Sequence, residues 1–325
     1  MEFRILKYLS LVLLFAACEK EIQVDIPQDP QQIVVEGQIE SGSAPIVILT
    51  WSQSFFSPVN LEDIANTVIK DADIKMVVNS KDTFQLNTFC TKNLPDSVKK
   101  ILARQSGLDF ISGDADFCLY TTFNPEAIGV PASTYQLLIK VGNSRLSALT
   151  KIPAPVALDS IWYKKDAARD TLGFIWSNLS DPAGKYNAYR WFACRISVYK
   201  SGPNKGQQKD PVFIAPYSSV FEDEFFDGLN FDFVYNRGSV PGSDKSDDLS
   251  IEAGYYKEGD TIAVKFCSID KDVFTYYRTY YTAIGNTGSP FATPTNIKTN
   301  VVGGLGVWAG YGVSIDTLVA IDQRP

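Results

Sequence analysis

Ile33-Val34-Val35-Glu36-Gly37-Gln38-Ile39, then Ser41-Gly42-Ser43, then Pro45-Ile46-Val47-Ile48-Leu49-Thr50-Trp51 is the stretch that decides the fold class. Two β-branched runs, the second ending in Trp51, separated by small turn formers have the pattern of a hairpin. The pattern recurs downstream. Residues 68–70, 74–78 and 83–86 read as strands, with Asn79-Ser80-Lys81-Asp82 as turn chemistry. Residues 117–123, 133–141 and 146–151 follow in kind, the last two joined by a Gly142-Asn143 turn. Between Cys90 and Cys118 the period changes. Val98, Ile101, Leu102 and Gln105 fall at helical spacing after Pro95-Asp96-Ser97 and before Gly107, predicting one short helix among strands.

Ile152-Pro153-Ala154-Pro155 interrupts this series with two residues that cannot donate to a ladder, which marks a domain boundary. A second series follows at 159–163, 171–176 and 188–199, with exposed loops at 201–210 and 239–248. Near the end, Val273, Tyr276, Tyr277, Tyr280 and Ile284 share one helical face behind Asp270 and Asp272, so a helix over 270–284 is expected to pack across a sheet. In Val301-Val302-Gly303-Gly304-Leu305-Gly306-Val307-Trp308-Ala309-Gly310-Tyr311 glycines alternate with large apolar groups, a spacing for close strand approach or bulges. The expected fold is mainly β: two β-sandwich-like domains, 32–153 and 154–325, with a few short helices.

The chain opens with Arg4 and Lys7, an apolar run from Tyr8 to Phe15, and Ala16-Ala17 before Cys18. This is signal-peptide grammar over 1–17, and the apolar run is about half the roughly 20 residues a membrane-spanning helix needs. Phe15-Ala16-Ala17-Cys18 resembles a bacterial lipobox, with Phe15 where Leu is commoner. The resemblance implies cleavage before an acylated Cys18, and several acyl chains, at roughly 0.8 kcal/mol per CH₂, give a lasting membrane anchor. Glu19, Lys20 and Glu21 resemble the start of a surface-export signal of Bacteroidota lipoproteins, although Ile22 stands where another acid is usual. The cell surface is therefore slightly favoured over the periplasmic face. Residues 18–31, with Pro27 and Pro30, suit an extended tether.

Removing residues 1–17 takes away Arg4, Lys7 and Glu2, moving the net charge from −7 to −8. An acidic body argues against nucleic acid as a partner. The chain contains no histidine, which excludes Ser-His-Asp and Cys-His nucleophiles and His-ligated zinc or haem. Once Cys18 is acylated, Cys90, Cys118, Cys194 and Cys267 remain. In an oxidising compartment the expected pairs are Cys90 with Cys118 and Cys194 with Cys267, each within one proposed domain; buried free thiols are the alternative.

Several of these features occur in a recognisable order: the lipobox, the IVVEGQI strand, SDPAGKYNAYR from Ser180, FEDEFFDG from Phe221, GDTIAVKFCSIDKDVFTYYRTYY from Gly259, and PTNIKTNVVGGLGVWAGY from Pro294. Together they resemble domain-of-unknown-function family 4249 of Bacteroidota lipoproteins, over nearly the whole mature chain. The shared motifs are structural, so no functional residue carries over. The resemblance implies an outer-membrane lipoprotein encoded beside TonB-dependent receptors, with a non-enzymatic accessory or ligand-binding role in uptake and a receptor barrel as partner. A surface adhesion or structural lipoprotein is the alternative. No cofactor is called for.

The densest chemistry is Phe221-Glu222-Asp223-Glu224-Phe225-Phe226-Asp227-Gly228. Glu222, Asp223, Glu224 and Asp227 offer hard oxygen ligands of the kind Ca²⁺ takes, but not at the spacing of a calcium loop; a solvated strand edge is preferred. Asp223 and Glu224 suggest a carboxylate-dependent glycan hydrolase, yet adjacent residues point to opposite faces of a strand and do not flank one bond. Trp162, Trp191, Tyr255, Tyr256 and Trp308 are candidates for a sugar-stacking or docking surface, against the commoner role of filling a β core. Gly303 to Gly306 lacks the Lys-Ser/Thr and helix of a phosphate loop.

Overall fold

Val35 and Ile39 leave β1 (Ile33–Glu40) on its buried face, while Glu36 and Gln38 leave it on the other, so the strand is amphipathic at period two. The computed structural model describes residues 30–53, 66–107, 116–239, 246–286 and 295–322. Cys18, Glu19, Lys20 and Glu21 lie outside the described residues. β2 (Ile46–Trp51) returns antiparallel to β1, with Val35 opposite Leu49 and Gly37 opposite Val47, as the opening hairpin predicts.

The remaining strands are β3 (Asp73–Val78), β4 (Asp82–Cys90), β5 (Cys118–Thr121), β6 (Thr134–Val141), β7 (Ser144–Lys151), β8 (Ser160–Lys165), β9 (Leu172–Ser180), β10 (Ala188–Arg195), β11 (Val220–Glu222), β12 (Asn230–Tyr235), β13 (Tyr256–Lys257), β14 (Thr261–Ile269), β15 (Val301–Val302) and β16 (Leu305–Val319). Helices α1 (Asp96–Ser106), α2 (Ser246–Leu249) and α3 (Lys271–Asn286) complete the described elements together with short 3-10 turns. The fold is mainly β. Twelve strands form one sheet in the order β11-β10-β14-β16-β1-β2-β5-β4-β3-β6-β7-β15, and β8, β9, β12 and β13 form a second, smaller sheet.

The expected mainly β class stands, with its strands in one large sheet and one small one. Residue 153 is where the core changes, but the sheet does not break there. The first core takes Val35, Leu49, Met76, Tyr135 and Leu137 from residues 33–152 and Val301 and Trp308 from the end of the chain, and the second begins at Leu158. What joins them is β16. Its first half runs parallel to β1, Val34 opposite Leu305 through Glu40 opposite Tyr311, and its second half runs antiparallel to β14, Ser268 opposite Gly312 through Thr261 opposite Val319. A strand from the end of the chain therefore lies beside one from its start.

The large sheet curls until β7 meets β16. Gly310 N donates to Thr150 Oγ1 at 2.9 Å, and Asn300 Nδ2 donates both to Leu149 O and to Trp308 O. Gly310 permits this approach, since a Cβ there would sit 2.5 Å from Lys151 O, and Gly306, at φ +97°, likewise lets β16 lie against β1, where a Cβ would sit 2.0 Å from Val35 O. Trp308 fills the enclosed core and donates its indole N–H to Tyr135 O at 2.9 Å.

In the second core, Tyr163, Ile175 and Leu179 of the small sheet face Tyr189, Trp191, Val264 and Phe266 of the large one. On the opposite face of the large sheet lies α3, at the predicted position. It buries Val273 and Phe274 against Cys267, Ile269, Val307 and Tyr311, whereas Tyr280 and Ile284 of the expected apolar face stay exposed.

Cys90 and Cys118 stand directly opposite on β4 and β5 and form a disulfide that closes the segment carrying α1. The expected partner bond does not form: Cys194 and Cys267 are buried free thiols. Cys194 faces Ala263 while Cys267 faces Arg190, so the register sets the two cysteines four rungs apart. At about 3.4 Å per residue that is roughly 14 Å, beyond disulfide reach. Burial pushes both thiols up to about 12.

Candidate functional site

The start of α3 is where the two halves of the chain present polar groups together. Asp270 precedes the helix and caps it, its Oδ1 accepting from Val273 N at 2.9 Å, while its Oδ2 accepts from Thr150 Oγ1 and Lys151 N at 2.9 and 3.1 Å. One carboxylate thus fixes the helix to β7. Burial raises its pKa above the ordinary carboxylate range, and these hydrogen bonds oppose that rise.

Two adjacent clefts of about 340 Å³ each open here and share Tyr186 and Lys271. The first is walled by Glu222, Glu224, Thr275 and Arg278, the second by Lys151, Lys185, Asn187 and Asp270 among others. β11 delivers Glu222 because it pairs with the first residues of β10, Ala188 opposite Glu222. Glu222 then meets Arg278, about two turns into α3, at 3.0 Å. Burial and the charge of Glu222 hold the Tyr186 phenol well above its ordinary pKa, so it stays protonated. Lys271 Nζ lies 5.7 Å from the Tyr186 ring centroid.

The acidic stretch at 222–227 is divided by this arrangement. Glu222 and Glu224 line the first cleft, whereas Asp223 turns inward and is buried. Its Oδ2 accepts from Asn187 N at 2.7 Å and from Asn187 Nδ2 at 3.1 Å. Asp223 and Glu224 therefore serve opposite sides of the backbone and do not face one bond. Asp223 and Asp227 instead approach Asp181, which sequence reasoning did not single out; one carboxylate oxygen from each lies within 4.8 Å of the others. Asp181 accepts from Tyr189 OH at 2.6 Å and Gly228 N at 3.1 Å, and Asp227 accepts from Gly184 N at 2.8 Å. Three carboxylates fall short of the six to eight oxygens Ca²⁺ takes, and each is engaged in clamping the 181–187 and 223–228 turns together. The four-acid set proposed from sequence thus does not converge on one point. The signal for Asp181 was its place in Ser180-Asp181-Pro182-Ala183-Gly184, a turn whose partner is remote in sequence.

The aromatic candidates also separate. Trp191, Tyr256 and Trp308 are buried in the cores, while Trp162 lies on the outward face of the small sheet, and Tyr255 packs against Phe174 of that face. Sequence reasoning missed Trp176, which stands directly opposite Trp162. Gly303 and Gly304 form the turn from β15 into β16, which already includes Gly306, so a strand and not a helix follows.

Fold and site together define a mainly β protein in which a curled sheet and a smaller one carry a charged cleft at the head of a surface helix. The chain belongs to the family described as domain of unknown function (DUF4249), whose model matches residues 19–316. No curated protein and no solved structure matches it.

Proposed function

We propose that this chain is an outer-membrane lipoprotein, anchored through acyl chains on Cys18, that serves a TonB-dependent uptake system as a non-enzymatic accessory or ligand-binding component. The tether of residues 18–31 spans at most about 50 Å when extended, enough to hold a folded body beside a membrane barrel. The observation that carries the binding role is the state of the charged groups in the paired clefts. Glu222 is committed to Arg278 and Asp270 to the cap of α3, so the lining presents fixed charges that suit orienting a ligand over transferring protons. Display at the cell surface, suggested by Glu19, Lys20 and Glu21, completes the reading.

The test is extraction of the native membrane in mild detergent and capture of the lipoprotein at its native expression level. Recovery of an outer-membrane receptor barrel in stoichiometric amount supports the role; recovery of the lipoprotein always alone overturns it. A thermal-shift series with sugars, peptides and metal chelates examines the binding half, since a ligand that binds only the folded state raises the melting temperature.

A further inference from the structure

The two faces of the small sheet differ in character. Tyr163, Ile175, Leu179, Phe231 and Phe233 close the second core from one side. The register places on the other side Ser160, Asn178 and Asp232 in one row, Trp162, Trp176 and Val234 in the next, and Lys164 beside Phe174 in the third. No aromatic residue of these rows belongs to a buried cluster among the described residues.

The aromatic groups of this face are half-buried and pack in two pairs. The rings of Trp162 and Trp176 are 6.2 Å apart and within 21° of parallel, and Phe174 meets Tyr255 at 4.9 Å. Along one flank runs a polar ladder: Asn230 Nδ2 donates to Asn178 Oδ1 at 2.8 Å and to Ser180 Oγ at 2.8 Å, and Asn178 Nδ2 donates to Asp232 Oδ1 at 2.6 Å. A carboxylate has about four acceptor positions, so Asp232 keeps several for a ligand. Over the rings stand two cations, Lys164 at 5.6 Å from the Trp176 ring centroid and Arg169 at 4.5 Å from that of Tyr255.

Acceptors, aromatic rings and the donors over them thus share a single face. Same-face neighbours along a strand are about 7 Å apart, close to the width of one sugar ring. A pyranose has an apolar C–H face that packs on indole and a rim of hydroxyls that both donate and accept. An apolar protein surface laid here would strip water from Asp232, Asn178 and Asn230 without replacing it. Nucleic acid would bring phosphates to Asp159 and Asp232 on a chain of net charge −7. We infer that the outward face of the small sheet is a carbohydrate-binding surface, seating a pyranose on Trp162 and Trp176, with Asp232 accepting from and Lys164 donating to its hydroxyls. This deepens the binding role proposed above by naming a ligand class, and it uses a surface separate from the charged clefts.

The experiment is calorimetric titration of the full acylated protein in detergent with xylohexaose, cellohexaose, mannohexaose and a galacturonic acid hexamer. At least one binds, and Trp162→Ala and Trp176→Ala each weaken it at least tenfold, with Phe225→Ala, on an exposed loop, as the unchanged control. Asp232→Ala, a change at an exposed position, weakens the same sugar severalfold and supplies the test should either tryptophan variant fail to fold. Absence of binding by all four hexamers, or binding unchanged in folded tryptophan variants and in Asp232→Ala, overturns the assignment. Capture of a receptor barrel is a separate readout, so loss of sugar binding with the barrel still recovered refutes this inference alone.

Discussion

Replacing Arg195 with Met tests the most concentrated electrostatics in the molecule. Arg195 is 2% exposed, near the end of β10. Its Nε and Nη2 donate to the two oxygens of Asp210 at 2.9 and 2.6 Å, its backbone N donates to Asp210 at 2.8 Å, and its Nη1 pairs with Asp247 of α2. Three segments distant in sequence are held by one side chain. Methionine restores much of the volume but leaves Asp210 and Asp247 buried without their cation, and removing one partner of a buried pair costs about 3–5 kcal/mol. Urea denaturation of the purified protein at pH 7 should show that loss as a lowered midpoint. The gap should also depend on pH. Burial alone would raise the Asp247 carboxyl, but the charge and hydrogen bond of Arg195, with that of Tyr199 OH, outweigh burial and hold its pKa below the ordinary value. A group depressed in the folded state stabilises it above the unfolded pKa, near 3.9, and that contribution is lost as pH falls through the folded value. The gap between the two proteins should therefore narrow progressively as pH falls below about 4. A loss under about 1 kcal/mol at pH 7, or a gap constant from pH 6 to pH 3, would refute the reasoning.

Reduction of Cys90–Cys118, which closes a separation of 28 residues, should cost about 3.5 kcal/mol on the chain-entropy account, read as a lower melting temperature. With that bond intact, thiol labelling of the mature chain should find Cys194 and Cys267 unreactive when folded and both reactive in denaturant, because burial raises each thiol to about 12. Gly310→Ala places a Cβ 2.5 Å from a backbone oxygen of Lys151, and the required parting of β7 from β16 should destabilise by roughly 1–3 kcal/mol and increase protease sensitivity near residue 151. Arg278→Ala should change stability by under about 1 kcal/mol, since that side chain is 56% exposed, while altering any ligand shift that depends on the first cleft.

Local pattern was enough for the strands at 33–39 and 45–51, for the helix ending before Gly107 and for α3, because alternation at two and spacing at three to four are properties of neighbouring residues. The same alternation was silent on which face of a strand points inward. Trp162 and Trp191 look alike in sequence, yet one is half-buried on the outward face of the small sheet and the other sits in the second core.

By itself the sequence determined a mainly β chain, the absence of histidine chemistry, and a pair of cysteines that could meet across neighbouring strands. Tertiary structure alone decided that β16 lies between β1 and β14, that Cys194 and Cys267 stand four rungs apart, and that Asp181 rather than Glu222 joins Asp223 and Asp227. The physical reason is common to all three. Which strand pairs with which, and in what register, follows from closing long loops around a shared core, and shifting a pairing by one residue exchanges its faces without changing a letter of the local pattern.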